Sequence, residues 1–391
     1  MMGKNIVILG GGPSGVIAAM ALAEAKRKHG LDFDVTLVTR DEWHYMPPLW
    51  MDIALEGLPV DETRAPIRGL EKYGARVILR EAEKIDAGER RVELAGGETL
   101  GYDYLFVALG LRNGWEAYPG LAEAGYHNYS PEGALEMHEA LKSFKGGRVV
   151  IAVPEIPFRC GIYPMEFASV LGYKLRVKGV KAEIKILSPK IPGGGDLSMA
   201  LGPDIKRLWD KYFSRFGVEI KTHDGFERVD PEKRLVVTKN YEEPYDLLIK
   251  VPPPRLPRIL EDPLFKWEED GRFAKARARD FRHPEYDDIV LTGEHSMPPT
   301  GLSLAGVFVH AATSKAVQQL LDEAYGVGEV HEIPSIACVA YSGDKGFMGV
   351  CEVEFDGSRY TWDNCYNVAE SSVIKYVKRG FYQGWLDRLR V

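Results

Sequence analysis

The sequence predicts an α/β fold of two tandem units, each a parallel sheet covered by helices, with a C-terminal α+β and helical segment after them. Three observations predict it. The apolar run KNIVIL at 4–9 leads into GGGPSG and a helix, and a second strand–helix–strand pattern begins at Gly147. From about residue 330, short strands replace this alternation and a basic helix closes the chain. The first two patterns are those of Rossmann-like, FAD/NAD(P)-binding domains.

The composition is that of a globular protein without a nucleic-acid partner. The chain has 391 residues, 45% apolar and 27% charged, so two or three domains with large cores are expected. A net charge of −7 argues against nucleic-acid binding. No apolar run approaches the roughly 20 residues of a membrane-spanning helix, and MMGKNIVILGG does not read as a signal peptide. Four scattered cysteines without a CxxC argue against a disulfide scaffold and a zinc site.

The remaining elements divide the chain into three parts. DVTLVTR at 34–40 is the second strand, whereas the aromatic and Pro-rich EWHYMPPLW at 42–50 is predicted to be a loop. YDYLFVALG at 102–110 and IVLTGEH at 289–295 are strands that enter loops. We predict a discontinuous first domain at 1–115 and 250–330, a second at 116–249, and a C-terminal segment at 331–391.

The first glycine-rich loop predicts a bound dinucleotide. Gly10, Gly12 and Gly15 form GxGxxG between a strand and a helix. The first glycine permits the tight turn, the second lets the backbone approach a pyrophosphate, and the third lets helix and strand pack closely. The acid expected after the second strand is replaced by Thr39 and Arg40. Thr39 or the backbone could bind the ribose, Arg40 could stack on adenine or indicate a phosphorylated ribose, and a solvated strand end is the alternative.

The second unit lacks this loop. Its first strand, RVVIAVP, runs into EIPFRCGIYPMEFA, where Cys160 stands in place of a phosphate-binding glycine. A working thiol and an inert buried cysteine are both consistent with this position taken alone.

Two segments resemble the flavin-contacting segments of flavoproteins with two dinucleotide-binding domains. YDYLFVALG resembles their strand-and-turn before the second domain, and IVLTGEH resembles the strand end that reaches the ribityl chain. The resemblance implies noncovalent FAD, since residues 1–159 hold no cysteine for a covalent link. The resemblance also implies further cofactor-binding residues besides the three glycines, Thr39 and Arg40. They are Pro13, Ser14, Pro48, Ala82, Ala108, Gly110, Gly293, Glu294 and Gly306.

The Cys160 segment is similar to that of sulfide:quinone oxidoreductases and of the flavoprotein subunit of flavocytochrome c sulfide dehydrogenase. PSIACVAYSGDKGFMGV at 334–350 resembles their later segment, which holds the partner cysteine, here Cys338. The resemblance implies a Cys160/Cys338 redox pair that passes electrons from sulfide through FAD to a membrane quinone and leaves polysulfide or elemental sulfur. It also implies Glu166 as a general base, and a helix-capping carboxylate is the alternative.

The sequence departs from this family at several positions. YHNYSPEG at 126–133 lacks the third active cysteine of some members, so a two-cysteine mechanism is implied. Leu304 stands where many relatives carry a lysine near the flavin. Cys351 and Cys365 match no family cysteine, and Cys351 is a rival for the role of Cys338.

The C-terminal stretch SVIKYVKRGFYQGWLDRLRV has helical apolar spacing and a basic character. An interfacial helix on an anionic membrane and a helix that caps the core both fit this pattern. The family resemblance favours a helix bordering a quinone site, with Phe347, Tyr376, Lys378 and Phe381 as quinone-binding residues. It implies a peripheral protein on the cytoplasmic side of a membrane, and a homo-oligomer is left open.

Three other functions compete with this reading. A type II NADH:quinone dehydrogenase shares the frame, but the missing second GxGxxG argues against it. A flavocytochrome c-type sulfide dehydrogenase would need a cytochrome partner. A redox-silent flavin-binding scaffold or sensor would leave the contexts of Cys160 and Cys338 unexplained.

Overall fold

The computed structural model describes residues 3–333 and 335–390. Its N-terminal part is a parallel sheet with an antiparallel insertion. The elements in this part are β1 (Lys4–Leu9), α1 (Pro13–His29), β2 (Phe33–Thr39), β3 (Trp43–Tyr45), α2 (Trp50–Glu56), β4 (Arg64–Pro66), β5 (Arg76–Leu79), β6 (Ala82–Asp86), β7 (Arg91–Leu94), β8 (Thr99–Gly101), β9 (Tyr104–Val107) and β10 (Arg112–Asn113). Strands β6, β7 and β8 form a separate antiparallel sheet.

The middle part forms a second parallel sheet with its own antiparallel extension. Its elements are α3 (Pro131–Ser143), β11 (Gly147–Ala152), α4 (Tyr163–Val177), β12 (Ala182–Pro189), α5 (Pro203–Phe216), β13 (Val218–His223), β14 (Phe226–Asp230), β15 (Leu235–Thr238), β16 (Glu242–Pro244), β17 (Leu247–Lys250) and β18 (Pro254–Arg255). The parallel strands lie in the order β13-β12-β11-β17. Because β11 is buried along its second half, it shows the continuous apolar pattern of a parallel strand covered on both faces.

The C-terminal part completes the first sheet and adds an antiparallel layer. Its elements are β19 (Ile289–Leu291), α6 (Met297–Thr300), α7 (Gly306–Tyr325), β20 (Ile336–Ser342), β21 (Lys345–Phe355), β22 (Tyr360–Ser371) and α8 (Ser372–Asp387). The first sheet has the parallel order β19-β9-β1-β2-β5, so IVLTGEH and YDYLFVALG lie side by side. The predicted α/β class with two Rossmann-like sheets is confirmed.

Two features differ from the sequence-based expectations. The stretch predicted to be a loop contains β3, a 3-10 turn at Pro47–Leu49 and the start of α2, because the buried side chains of Met51, Ile53 and Ala54 give it a tertiary partner. Cys351 and Cys365 form a disulfide between β21 and β22, and both are buried. This bond removes Cys351 as a rival for the role of Cys338.

Candidate functional site

The first glycine-rich loop has the shape that a pyrophosphate needs. A Cβ at Gly10 would lie 2.4 Å from the Ala108 carbonyl oxygen, and one at Gly15 would lie 1.9 Å from the Gly10 carbonyl oxygen. A Cβ at Gly12 meets nothing within 4 Å. Gly12 also caps α1 without a side-chain hydrogen bond, so the first N–H groups of the helix face open space. These features fit a dinucleotide on the helix N-terminus.

A second helix N-terminus lies close to the first. Helix α7 begins at Gly306, again without a side-chain cap, and a Cβ at Gly306 meets nothing within 4 Å. The Ser14 hydroxyl lies 2.9 Å from the hydroxyls of both Thr292 and Thr313, so it joins α1 to the end of β19 and to α7. Ser14 therefore stabilises the packing of the three segments that border the predicted cofactor site.

The other predicted cofactor residues surround this loop at different depths. Gly293 has a φ of 114° and Gly110 one of 64°, conformations that favour glycine, and the Cβ position of Gly293 lies 3.7 Å from the Gly110 nitrogen and 3.9 Å from the Ala108 carbonyl carbon. Thr39 is buried at the end of β2, and its Oγ1 would lie 2.9 Å from a Cβ at Gly11.

The predicted residues on the adenine side are more exposed. Arg40 is exposed, and its guanidinium lies 3.6 Å from a Glu81 carboxylate oxygen. Pro48 and Ala82 are half-buried, and Pro13 is the first residue of α1.

Cys160 lies where the second unit meets the first. Its φ is +57°, the left-handed region that only glycine adopts without strain. Its N–H donates to the Leu304 carbonyl oxygen at 2.7 Å, and its own carbonyl accepts from the Tyr163 N–H at 2.7 Å. The neighbouring Arg159 Nε lies 2.9 Å from a Glu294 carboxylate oxygen. The Cys160 loop is thus attached to the two segments that flank the predicted flavin.

Cys160 and Cys338 are neighbours as free thiols. Burial raises the pKa of Cys160 to about 12 and that of Cys338 to about 11. The charge of Glu166 raises both pKa values further, that of Cys338 raises the pKa of Cys160, and Lys378 lowers both. In the reduced form both sulfurs therefore keep their protons at neutral pH.

Glu166 is the centre of a buried polar cluster beside these thiols. It lies in the first turn of α4, and its carboxylate accepts hydrogen bonds from the Tyr341 N–H at 2.6 Å and from Lys378 Nζ. Lys378 Nζ also stands 4.2 Å from the centroid of the Tyr341 ring. Burial opposes the charge of Lys378, but Glu166 and the tyrosines raise its pKa, so the ammonium stays charged.

The sequence did not single out Asp52 or Tyr382, which belong to the same cluster. The Tyr341 hydroxyl donates to the Asp52 carboxylate at 3.3 Å, and burial raises the pKa of Asp52 to about 6. Burial also raises the pKa of Tyr382, and Cys338 and Cys160 contribute, so this phenol lies near the thiols. The sequence feature that could have identified Asp52 as a functional residue is its position as an acid inside the apolar run WMDIAL.

The four predicted quinone-binding residues do not lie together. Tyr376 and Phe381 are 74% and 61% exposed, whereas Lys378 is turned inward onto Glu166. Phe347 is buried, 5.2 Å from the Trp209 ring of α5. The adjacent Gly346 faces the backbone of α8, so strand alternation turns Phe347 to the opposite side of the sheet. The structure therefore separates Phe347 from Tyr376.

Helix α8 has both an exposed apolar surface and an end that packs against the core. Its solvent-facing side carries an apolar surface, hereafter the apolar strip, made by Val373, Tyr376, Val377 and Phe381. Its C-terminal half is packed inward through Leu386 and Trp385, whose indole N–H donates to His44 Nε2 at 3.3 Å. His44 Nδ1 in turn lies 2.9 Å from the Gly11 carbonyl oxygen of the glycine-rich loop. Across residues 3–333 and 335–390, no helix has the length and apolar character to cross a membrane.

A glycine loop for a dinucleotide, beside a second unit that carries the thiol of Cys160 in place of a nicotinamide-binding loop, defines a disulfide oxidoreductase of the two-domain type. The family model "Pyridine nucleotide-disulphide oxidoreductase" matches residues 4–251. The chain belongs to this family and is an oxidoreductase. The family and the fit of the first glycine loop imply a flavin cofactor.

Within this family, the chain is similar to sulfide:quinone oxidoreductases, which its sequence motifs also resemble. The chain is 24% identical over 313 residues to the mitochondrial sulfide:quinone oxidoreductase of Dictyostelium discoideum, covering 78% of this chain and 68% of that protein. It is 22% identical over 363 residues to the sulfide-quinone reductase of Aquifex aeolicus, covering 89% and 83%.

The solved sulfide:quinone oxidoreductase of Aquifex aeolicus has the same fold, with a TM-score of 0.82 at 20% identity over 99% of this chain and 91% of that one. The resemblance to sulfide:quinone oxidoreductases is confirmed.

Proposed function

We propose that this protein oxidises sulfide and passes the electrons to a quinone. The observation that carries the proposal is the position of Cys160 and Cys338. Cys160 is held against the flavin-side segments by its own hydrogen bond to Leu304 and by the ion pair of the adjacent Arg159 with Glu294, where a related dehydrogenase would place nicotinamide. Cys338 is a free thiol close enough to raise the pKa of Cys160. The names of the relatives, which specify sulfide and quinone, support it.

The thiol pair acts as the acceptor for sulfide. In the oxidised protein, hydrosulfide attacks one sulfur of a Cys160–Cys338 disulfide, the S–S bond breaks, one cysteine becomes a persulfide and the other leaves as a thiolate. The Lys378 ammonium, which lowers the pKa of both thiols, stabilises that thiolate. Glu166 takes the persulfide proton. Each further sulfide would add only after the two electrons of the previous one had left the cysteine pair, with bound flavin as the oxidant, and the sulfur would leave as polysulfide or elemental sulfur.

Noncovalent FAD, when bound, supplies the two-electron transfer between the thiolate and the quinone. This chain would hold its pyrophosphate at Gly10, Gly12 and Gly15 and at the N-termini of α1 and α7. Thr39 and Arg40 would lie toward the adenosine end and the Gly293–Glu294 turn toward the ribityl side, as the family resemblance implies.

We place the protein peripherally on the cytoplasmic side of a membrane, in which a hydrophobic quinone resides. The exposed apolar strip of α8 supports the peripheral position. Arg379, beside the apolar strip, extends toward solvent as a partner of Glu62. An apolar surface flanked by basic side chains fits an anionic lipid surface. Phe381 and Tyr376 would contact the quinone at this surface.

Rapid mixing of the purified, flavin-loaded protein tests the proposal. We expect sulfide to bleach the flavin absorbance and a quinone to restore it. Bleaching by NADH with sulfide inert would identify a type II NADH:quinone dehydrogenase. Return of absorbance with cytochrome c and not with quinone would identify a flavocytochrome c-type enzyme, and no response to either donor would indicate a redox-silent flavoprotein.

A further inference from the structure

The cluster around Glu166 holds more acidic groups than basic ones. Asp52 and Glu166 are 4% and 3% exposed, and the one ammonium buried with them, Lys378, is 7% exposed. Lys378 is hydrogen-bonded to Glu166, and Asp52 has the Tyr341 hydroxyl as its hydrogen-bond partner. Because a buried carboxylate without a matching cation is costly, Asp52 takes up a proton more readily than an exposed aspartate does.

Asp52 also lies between the buried pair and the protein surface. Its charge interacts with Lys378 and with Arg379, which extends from α8 to Glu62 at 3.0 Å and is 42% exposed. The acid therefore faces the Lys378–Glu166 pair on one side and a hydrated ion pair on the other. The charged and titratable groups near it come from three elements: Lys378 and Arg379 of α8, Tyr341 of β20 and Glu166 of α4. Glu62, on the loop after α2, is the partner of Arg379.

The proposed reaction needs a proton from solvent. Quinone takes up two electrons and two protons to become quinol, whereas oxidation of one hydrosulfide to sulfur releases two electrons and one proton. One proton per turnover must therefore come from solvent. We propose that Asp52 supplies this proton, passing it to the neighbouring Lys378–Glu166 pair and regaining it from solvent beside Arg379.

This inference rests on the proposed function and gives Asp52 a positioning role, since it reaches the reacting atoms through other groups. A raised pKa of about 6 suits the role, because the acid can both hold and release a proton near neutrality.

The test follows the two half-reactions of the full-length, flavin-loaded protein between pH 5 and 8, with sulfide as donor and a short-chain ubiquinone as acceptor. For Asp52→Asn we expect flavin reduction by sulfide within about twofold of wild type and reoxidation by quinone slowed on the order of 100-fold. The wild-type reoxidation rate should fall as pH rises through about 6, and this dependence should vanish in Asp52→Asn. Asp52→Glu should restore both, and the exposed Asp61→Asn should behave as wild type.

Tyr341→Phe provides an independent measurement if Asp52→Asn folds poorly. It keeps the ring under Lys378 and removes the hydrogen bond that lowers the pKa of Asp52, so the pH profile of reoxidation should move to higher pH. An unmoved profile in Tyr341→Phe, or an unchanged reoxidation rate in Asp52→Asn, overturns the role of Asp52. If the wild type itself is not reoxidised by quinone, the proposed function fails instead.

Discussion

The carboxylate of Glu166 is paired with the ammonium of Lys378, and both are buried although they lie 212 residues apart in the chain. The pair joins α4 of the second unit to the C-terminal helix. Because both side chains are removed from water, the ion pair contributes little more to stability than two apolar side chains would. Loss of either partner, however, leaves an uncompensated buried charge. It therefore holds α8 in one position beside the thiols.

Removal of one partner should accordingly be worse than removal of both. We expect Glu166→Gln and Lys378→Met each to lower the free energy of unfolding by about 3–5 kcal/mol, and the double variant to lose less than the two single losses added together. Denaturant unfolding of the four proteins measures the coupling. Strict additivity would show that the two side chains do not act as a pair.

The four cysteines should separate into two classes. Cys160→Ser and Cys338→Ser should each abolish flavin reduction by sulfide while flavin content is kept. Cys351→Ser and Cys365→Ser should keep that activity but lower the free energy of unfolding by about 3 kcal/mol, since their disulfide closes a short loop. Loss of sulfide oxidation in Cys351→Ser with full flavin content would contradict this division.

Substitutions at Gly12 and Gly15 of the first glycine-rich loop should differ in whether they lower FAD affinity or the stability of the apoprotein. In Gly12→Ala the new methyl group meets no protein atom, so stability without cofactor should stay within about 0.5 kcal/mol of wild type while FAD affinity falls. In Gly15→Ala it would lie 1.9 Å from the Gly10 carbonyl oxygen, so the apoprotein itself should be destabilised. Thermal unfolding and flavin titration of both variants test this, and equal apoprotein stability would refute it.

The apolar strip should account for vesicle binding. Val373→Ser with Phe381→Ser should weaken binding to anionic vesicles by about tenfold or more, since burial of one such side chain is worth roughly 1.5–3 kcal/mol. Reduction of the flavin by sulfide should be unaffected because these side chains face solvent. The matched control is Val177→Ser on α4, which is 68% exposed and lies outside α8. An equal loss in the control would show that the strip has no special role.

Buried His44 should make the protein sensitive to acid. Burial lowers its pKa to about 4, whereas the unfolded chain takes up this proton near 6.5. Between these values the unfolded state binds more protons, so the free energy of unfolding falls as pH falls from 6.5 to 4. His44→Asn keeps a donor for the Gly11 carbonyl and cannot titrate in this range, so its stability should depend less steeply on pH. His29→Asn, at an exposed position, should leave the slope unchanged.

Deletion of the whole C-terminal helix would not isolate the quinone reaction. Trp385 is linked through His44 to the Gly11 carbonyl, and the Leu389 backbone lies against Gly69. A truncated protein would therefore lose support for the cofactor loop together with the apolar strip. Substitutions on the exposed face of α8 separate these two effects.

The sequence by itself determined the features that depend on neighbouring residues. KNIVIL followed by GGGPSG predicted the first strand, turn and helix, because strand burial and glycine geometry are local properties. The Cys160 and Cys338 contexts and their resemblance to known motifs predicted the thiol pair. These predictions did not depend on knowing which distant segments of the chain contact one another.

Only the tertiary structure decided the partners of buried polar side chains. Lys378 belongs to a helix whose spacing allowed it to face a quinone or the core, and the long-range contact with Glu166 turned it inward. Helix α2 has little helical signal of its own and forms because its apolar side chains are buried, which brings Asp52 to Tyr341. Burial, hydrogen bonding and charge pairing between residues far apart in the chain depend on the assembled fold, so no local pattern could specify them.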